Sequence, residues 1–237
     1  FEVFFQPRVD AIGKTVSAEA LIRWRRDDGQ LISPALFINV LEDTELIVPV
    51  GYWVLVNACK ECIKWHNQGF THMKISVNLS MRQFLNGSII EDIRKALLES
   101  ALEAEFLELE LTESLFAENP DETLSILKAI KAFGIHISLD DFGTGYSSLS
   151  YLRKFPIDCL KIDQSFVKDI SSNQDQANLT HSIINMAKAL DMNTVAEGVE
   201  EQEQLDCLVE LGTNELQGFF FSRPLSAQDF MTYLKSH

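Results

Sequence analysis

Histidine and cysteine are both sparse in this chain. None of the five histidines falls in the His-Glu-x-x-His spacing of a helical zinc site. Four cysteines (Cys59, Cys62, Cys159, Cys207) do not make a disulfide framework at 237 residues. Cys59 and Cys62 have Cys-x-x-Cys spacing but lie in a helical pattern with no second ligand pair, so reduced, half-buried thiols are expected. Reduced thiols favour a cytoplasmic setting. No apolar run reaches the roughly 18 residues that span a bilayer, and no cleavable leader is visible. Positive charge is scarce: 20 Lys and Arg stand against 35 Asp and Glu, a net charge of −15. That argues against a DNA- or RNA-binding groove, which needs a basic stripe. It leaves room for a small anionic substrate if metal ions reverse the local potential. Linkers, low-complexity tracts and charge blocks are missing too, so residues 1–237 read as one domain. The opening Phe1-Glu2-Val3-Phe4-Phe5 enters a strand at once without a Met, as expected of a domain excised from a longer multidomain protein.

What is present is a repeating alternation. Strands are expected at 2–7, 15–23, 74–79, 106–112, 135–140, 158–163, 193–197 and 215–220, with helices in most gaps. Ser33-Pro34 and Asn119-Pro120 each put a side-chain acceptor before a proline at a helix start. Ile126, Ile130 and Phe133, and likewise Leu179, Ile183 and Met186, follow helical i, i+4, i+7 spacing. Strands interleaved with helices imply an α/β fold, a (β/α)8 barrel, with an open doubly wound sheet as the rival. Hydrophobic residues at 46% of the chain suffice for its core.

The strand faces locate a site. Ile75, Val77 and Leu79 oppose Lys74, Ser76 and Asn78; Leu107, Leu109 and Leu111 oppose Glu108 and Glu110. Ile137 and Leu139 oppose His136, Ser138 and Asp140; Leu160 and Ile162 oppose Cys159, Lys161 and Asp163. Parallel strands are covered on both faces, so the inward polar residues need partners, and those at the strand ends converge on one mouth. Glu108 lies one step deeper than Glu110 and has no evident partner. The last inward residues are Glu19, Asn78, Glu110, Asp140 with Asp141, Lys161, Glu197 and Gln217. Carboxylates and an amide oxygen at one point suit hard divalent cations. Two such ions bridged by Asp140 would share and acidify a water and clamp a phosphodiester for in-line attack. Lys161 is placed to hold the water or the phosphate, and Glu197 to take the proton.

At these residues the chain closely resembles the EAL-domain family, the cyclic di-GMP-specific phosphodiesterases. The resemblance runs through Gln6-Pro7, Glu19-Ala20-Leu21-Ile22-Arg23-Trp24, Ser76-Val77-Asn78-Leu79-Ser80 and Glu110-Leu111-Thr112-Glu113. It continues through Asp140-Asp141-Phe142-Gly143-Thr144-Gly145-Tyr146-Ser147-Ser148-Leu149, Lys161-Ile162-Asp163, Ala196-Glu197-Gly198-Val199-Glu200 and Gln217-Gly218. It implies a modified TIM barrel whose first strand is antiparallel to the rest, and hydrolysis of cyclic di-GMP to linear pGpG. It also implies two Mg²⁺ or Mn²⁺ ions per site with Ca²⁺ inhibiting. By resemblance the metal ligands are Glu19, Asn78, Glu110, Asp140 and Asp141, with Glu197 and Lys161 at the metal and water. Substrate contacts would be Gln6, Leu21, Arg23, Asp163 and Gln217. The loop after Asp141, with Phe142, Gly143, Thr144 and Gly145 and the carboxylates Glu113 and Glu200, would couple metal binding to a homodimer interface. Sensory or diguanylate-cyclase modules and a tether to the inner face of the membrane are compatible with a longer chain. Phe5 departs from the family's tyrosine before Gln-Pro. The alternative function is a non-hydrolytic cyclic di-GMP receptor, but such relatives lack ligands that this chain keeps.

Overall fold

The period-two segments close into a ring. The computed structural model describes residues 1–115, 119–143 and 152–237. Its strands are β1 (Glu2–Asp10), β2 (Thr15–Arg25), β3 (Leu31–Ile32), β4 (Lys74–Asn78) and β5 (Leu107–Thr112). They continue as β6 (His136–Phe142), β7 (Cys159–Ile162), β8 (Asn193–Ala196), β9 (Glu215–Gln217) and β10 (Leu225–Ser226). Pairing runs β1–β9–β8–β7–β6–β5–β4–β2 and returns from β2 to β1, which closes an eight-stranded barrel. β1 is antiparallel to both β2 and β9, while β2 and β4 to β9 pair in parallel. The open-sheet rival is excluded.

The inverted first strand has a local cause. Residues 11–14 are too short to carry a crossover, so β2 must return antiparallel. Asp10 Oδ1 accepts from the amides of Ile12 and Lys14, and Gly13 supplies the positive φ of the turn.

Outward faces pack as the alternation requires. Ile75, Val77, Leu107, Leu109, Leu111, Ile137, Leu139, Leu160 and Ile162 are all buried under the helical layer. Phe5 on β1 meets Trp65 edge-on at 5.2 Å between ring centroids, and Trp65 lies 4.8 Å from Phe230. These rings tie the helices Ile47–Asn67 and Ala227–Ser236 to the antiparallel strand.

Several local expectations are corrected. β9 stops at Gln217 rather than 220: the chain turns at Gly218, whose carbonyl accepts from the amides of Phe221 and Ser222, and Gly218 lies so close to Val199 that a Cβ there would stand 2.0 Å from the Val199 carbonyl oxygen. Pro34 opens only a 3-10 turn, Pro34–Leu36, and Pro120 opens the helix Pro120–Lys131. Neither Ser33 nor Asn119 makes a side-chain cap bond; Asn119 Nδ2 instead donates to Glu122 Oε2 at 2.7 Å. On the helix Gln174–Ala189, Leu179 is exposed, and the buried face is Thr180, Ile183, Ile184 and Ala187. All four cysteines are unpaired thiols.

Candidate active site

Barrel closure brings the inward strand ends together. Register sets Gln6 beside Glu19, Asn78 beside Glu110, and Thr112 beside Asp140. Lys161 stands at the centre and is 1% exposed. Its Nζ lies 2.5 Å from Glu110 Oε2, 2.7 Å from Glu197 Oε1, 2.8 Å from Asp140 Oδ1 and 3.9 Å from Glu19 Oε1. The contact with Asp140 is not aligned as a hydrogen bond, so the buried Oδ1 retains acceptor capacity. Burial works against the ammonium, yet Glu110, Glu19, Glu197 and Asp140 hold it charged well above the ordinary lysine range.

The carboxylates respond differently to one cation. Burial opposes ionisation of Glu110, but Lys161 and then Arg8 pull its carboxyl down to about 2. Burial pushes Glu197 up to about 8, with Lys161 opposing and Asp140 and Glu19 reinforcing. Glu19 is raised by burial and by repulsion from Glu110. Its oxygens accept from Asn78 Nδ2 at 2.7 Å and from Gln217 Nε2 at 2.6 Å. The Asn78 carbonyl oxygen therefore sits on the other side of its amide, away from Glu19.

A strand irregularity aims the adjacent aspartates. β6 does not end at Asp140 but runs on to Phe142, and a bulge separates the pairs Leu139↔Leu160 and Phe142↔Ile162. Asp141 adopts a left-handed φ of 53°, which aspartate tolerates better than most residues. The extra residue turns Asp140 and Asp141 toward Glu197, and one ligand oxygen from each of the three lies within 4.8 Å of the others. An all-oxygen, anionic set with an under-used buried oxygen on Asp140 fits a hard divalent cation. Glu19, Asn78 and Glu110 flank this group through Lys161 and their mutual hydrogen bonds.

The mouth opens into a cleft of about 300 Å³ lined by Gln6, Glu19, Leu21, Asp140, Lys161 and Gln217, among others. Asp163 lines it as well, while its Oδ1 caps the turn Gln164–Val167 by accepting from the Ser165 amide at 3.0 Å. Glu200 is at the rim, and its amide donates to Gln204 Oε1. Arg23 faces an adjoining, more apolar cleft of about 310 Å³ that shares Leu21 and reaches Asn78.

Two groups at the site escaped the sequence reading. Arg8 is fully buried and gives Glu108 the partner it lacked, with Nη1 2.7 Å from Glu108 Oε1. The alternation places the first strand at 2–7, short of Arg8; β1 runs on to Asp10, which sets Arg8 two residues from Gln6 on the same inward face. Phe219, which the alternation places within a strand at 215–220, lines the cleft with the Arg223 guanidinium 4.3 Å from its ring centroid.

Behind the bulge, Glu113 Oε1 accepts from the Gly143 amide at 2.9 Å. Gly143 has a φ of +96° and packs so tightly on the Phe166 ring that a Cβ would meet it at 2.6 Å. Phe142 is buried beside them. Thr144 and Gly145 lie outside the described residues. Replacing Glu113 with alanine is expected to speed hydrogen exchange at the Gly143 amide about fivefold, the loss of one ~1 kcal/mol hydrogen bond. Unchanged protection would remove Glu113 as the anchor of this segment.

The family model described as EAL domain matches residues 1–224. The chain is 41% identical to the bifunctional diguanylate cyclase/cyclic di-GMP phosphodiesterase MucR of Pseudomonas aeruginosa, over 96% of this chain and 33% of that protein. It is 38% identical to the cyclic di-GMP phosphodiesterase PdeR of Escherichia coli, over 99% of this chain and 35% of that protein. Among solved structures, the PaMucR phosphodiesterase in complex with c-di-GMP superposes with a TM-score of 0.92 at 41% identity, covering 96% of this chain and 93% of that one. The chain spans about a third of the length of the curated relatives it matches.

Proposed function

The chain belongs to the EAL-domain family, and from that membership and the acidic mouth we propose that it hydrolyses one phosphodiester bond of cyclic di-GMP to give linear pGpG. The observation that carries this reading is the meeting of Asp140, Asp141 and Glu197 around a buried lysine inside a cleft. EAL phosphodiesterases depend on divalent metal, and the carboxylate cluster is a fitting holder for it. Under this proposal Glu19, Asn78, Glu110, Asp140, Asp141 and Glu197 hold two Mg²⁺ or Mn²⁺ ions. When bound, the ions acidify water and draw charge from the phosphodiester.

The remaining work falls to the protein. Lys161, held charged by its four acidic neighbours, positions the attacking water or a phosphate oxygen. Glu197 accepts the proton released in the attack. Gln6, Leu21, Arg23, Asp163 and Gln217 orient the nucleotide, with Arg23 supplying positive charge from the adjoining cleft. Glu113, Glu200 and the segment Phe142–Gly145 link the site to a homodimer contact beyond residue 149. The domain would act within a longer polypeptide carrying sensory or cyclase modules, in line with the greater length of its relatives. No helix among the described residues is long and apolar enough to cross a membrane.

Chromatography of products after incubation with cyclic di-GMP tests the proposal. pGpG is expected with Mg²⁺ or Mn²⁺ and none with EDTA. Bound but intact cyclic di-GMP under both conditions would make the protein a receptor instead.

A further inference from the structure

A glutamine amide can be turned end for end with almost no change of shape, so its neighbours decide which edge it presents. At the mouth of the barrel that choice is made for Gln217 and Gln6 by Arg8. Arg8 pairs with Ser17 where Gln6 pairs with Glu19, and so lies two residues deeper in the barrel. Two carboxylates seat it: Nη1 donates to Glu108 Oε1 at 2.7 Å, and Nη2 donates to Glu110 Oε1. The remaining edge, Nε, donates to Gln217 Oε1 at 3.0 Å. A guanidinium has donors only, so the Gln217 amide has to face it with oxygen.

The choice passes upward. With its oxygen on Arg8, Gln217 turns Nε2 the other way, donating to Glu19 Oε2 at 2.6 Å and to Gln6 Oε1 at 3.1 Å. Both hydrogens of that nitrogen are then used. Gln6, in turn, meets Gln217 with oxygen and gives one Nε2 hydrogen to the Ser222 carbonyl at 3.1 Å. Among the described residues no acceptor takes its second hydrogen, and Gln6 lines the cleft. Flipping Gln217 would set its carbonyl against the Glu19 carboxylate and its N–H groups against Arg8. Flipping Gln6 would oppose two nitrogens at one end and two oxygens at the other. Buried mismatches of this kind are costly, so the chain of amides has one polarity.

We propose that Arg8 is a positioning residue for the substrate: acting through Gln217, it keeps an N–H of Gln6, and not the oxygen, available to a phosphodiester oxygen in the cleft. Arg8 itself touches no substrate. The identity of the ligand rests on the cyclic di-GMP reading, whereas the polarity of the amides does not.

Two measurements on the metal-free protein test this: equilibrium binding of cyclic di-GMP in EDTA, and hydrogen exchange at the Gln6 and Gln217 side-chain amides by ¹⁵N NMR. Arg8→Met combined with Glu108→Gln, which leaves no orphaned carboxylate at 108, should weaken binding about fivefold, the worth of one hydrogen bond. Exchange at both amides should quicken by about the same factor or more. In a Gln6→Leu background the same two changes should alter binding by less than about twofold, because the group through which Arg8 acts is gone. A merely structural Arg8 would cost the same factor in both backgrounds. Gln217→Met leaves Arg8 on its two carboxylates and cuts the same link, so it decides the matter should the double variant not fold; Gln6 exchange should again quicken about fivefold. Equal binding losses with and without Gln6, or Gln6 exchange unchanged in the variants that fold, would overturn the proposal. Wild-type protein that binds no cyclic di-GMP, with Gln6 exchange still following Arg8, would overturn the substrate reading and uphold the control of Gln6 by Arg8.

Discussion

Glu19→Ala is expected to lower turnover of cyclic di-GMP by at least about 10³-fold, equivalent to ~4 kcal/mol of transition-state stabilisation. The fold should survive. Glu19 accepts two hydrogen bonds, from Asn78 and Gln217, and losing each acceptor costs about 1 kcal/mol. Against that, burial and the nearby Glu110 already make ionised Glu19 unfavourable, so its removal relieves a repulsion. The two effects oppose, and the denaturant midpoint should move little while kcat collapses. Measuring both on one preparation separates a metal-holding residue from a structural one. Undiminished pGpG formation with Mg²⁺ would show that Glu19 has no role in the chemistry.

The second large effect is expected at Lys161. Replacing it with methionine removes the one ammonium that faces Glu110, Glu197, Asp140 and Glu19 together. Breaking a buried ion pair from one side costs about 3–5 kcal/mol, and here several carboxylates lose the same partner. The sign of the pH dependence follows. Without Lys161, burial is less opposed, so the folded-state pKa values of Glu110, Glu19 and Glu197 rise. A carboxyl raised in the folded state favours folding at low pH and loses that contribution as pH climbs from its unfolded value. Glu197 already spans 4.5 to about 8 in the wild-type protein. Metal-free Lys161→Met should therefore be clearly more stable at pH 5 than at pH 8, with the gap wider than in wild type. Activity should fall mainly in kcat. A loss confined to KM would make Lys161 a substrate clamp and not a holder of the attacking water.

Much of this site was legible because strand periodicity is simple. On each of the segments at 74–79, 106–112, 135–140 and 158–163, apolar residues alternated with polar ones. Interleaved helices then forced the polar side inward. The sequence alone thus places Asn78, Glu110, Asp140 and Lys161 at one mouth. Arg8 could not be placed so readily, because an arginine on a terminal strand reads as a solvated edge unless the barrel is known to close on that strand. Its pairing with Glu108 spans residues that only β1 insertion between β2 and β9 brings together.

The aspartate pair shows the opposite kind of miss. Two neighbouring carboxylates were expected to converge because the strand ended, whereas the strand continues and a bulge with a left-handed Asp141 re-aims them. Bulges leave no reliable trace in an alternation pattern, since one inserted residue looks like a phase error. The caps expected at Ser33 and Asn119 failed for a related reason: proline fixes the start of a turn, but the rotamer of the preceding side chain is decided by its neighbours.

Anomalous diffraction from crystals of this domain soaked in Mn²⁺ tests most directly whether the barrel's acidic rim is a metal site. The expected result is manganese at the mouth, coordinated by Asp140, Asp141 and Glu197, with a second ion beside Glu19, Asn78 and Glu110. Manganese absent from the mouth, or bound only on the outer surface, would contradict the account.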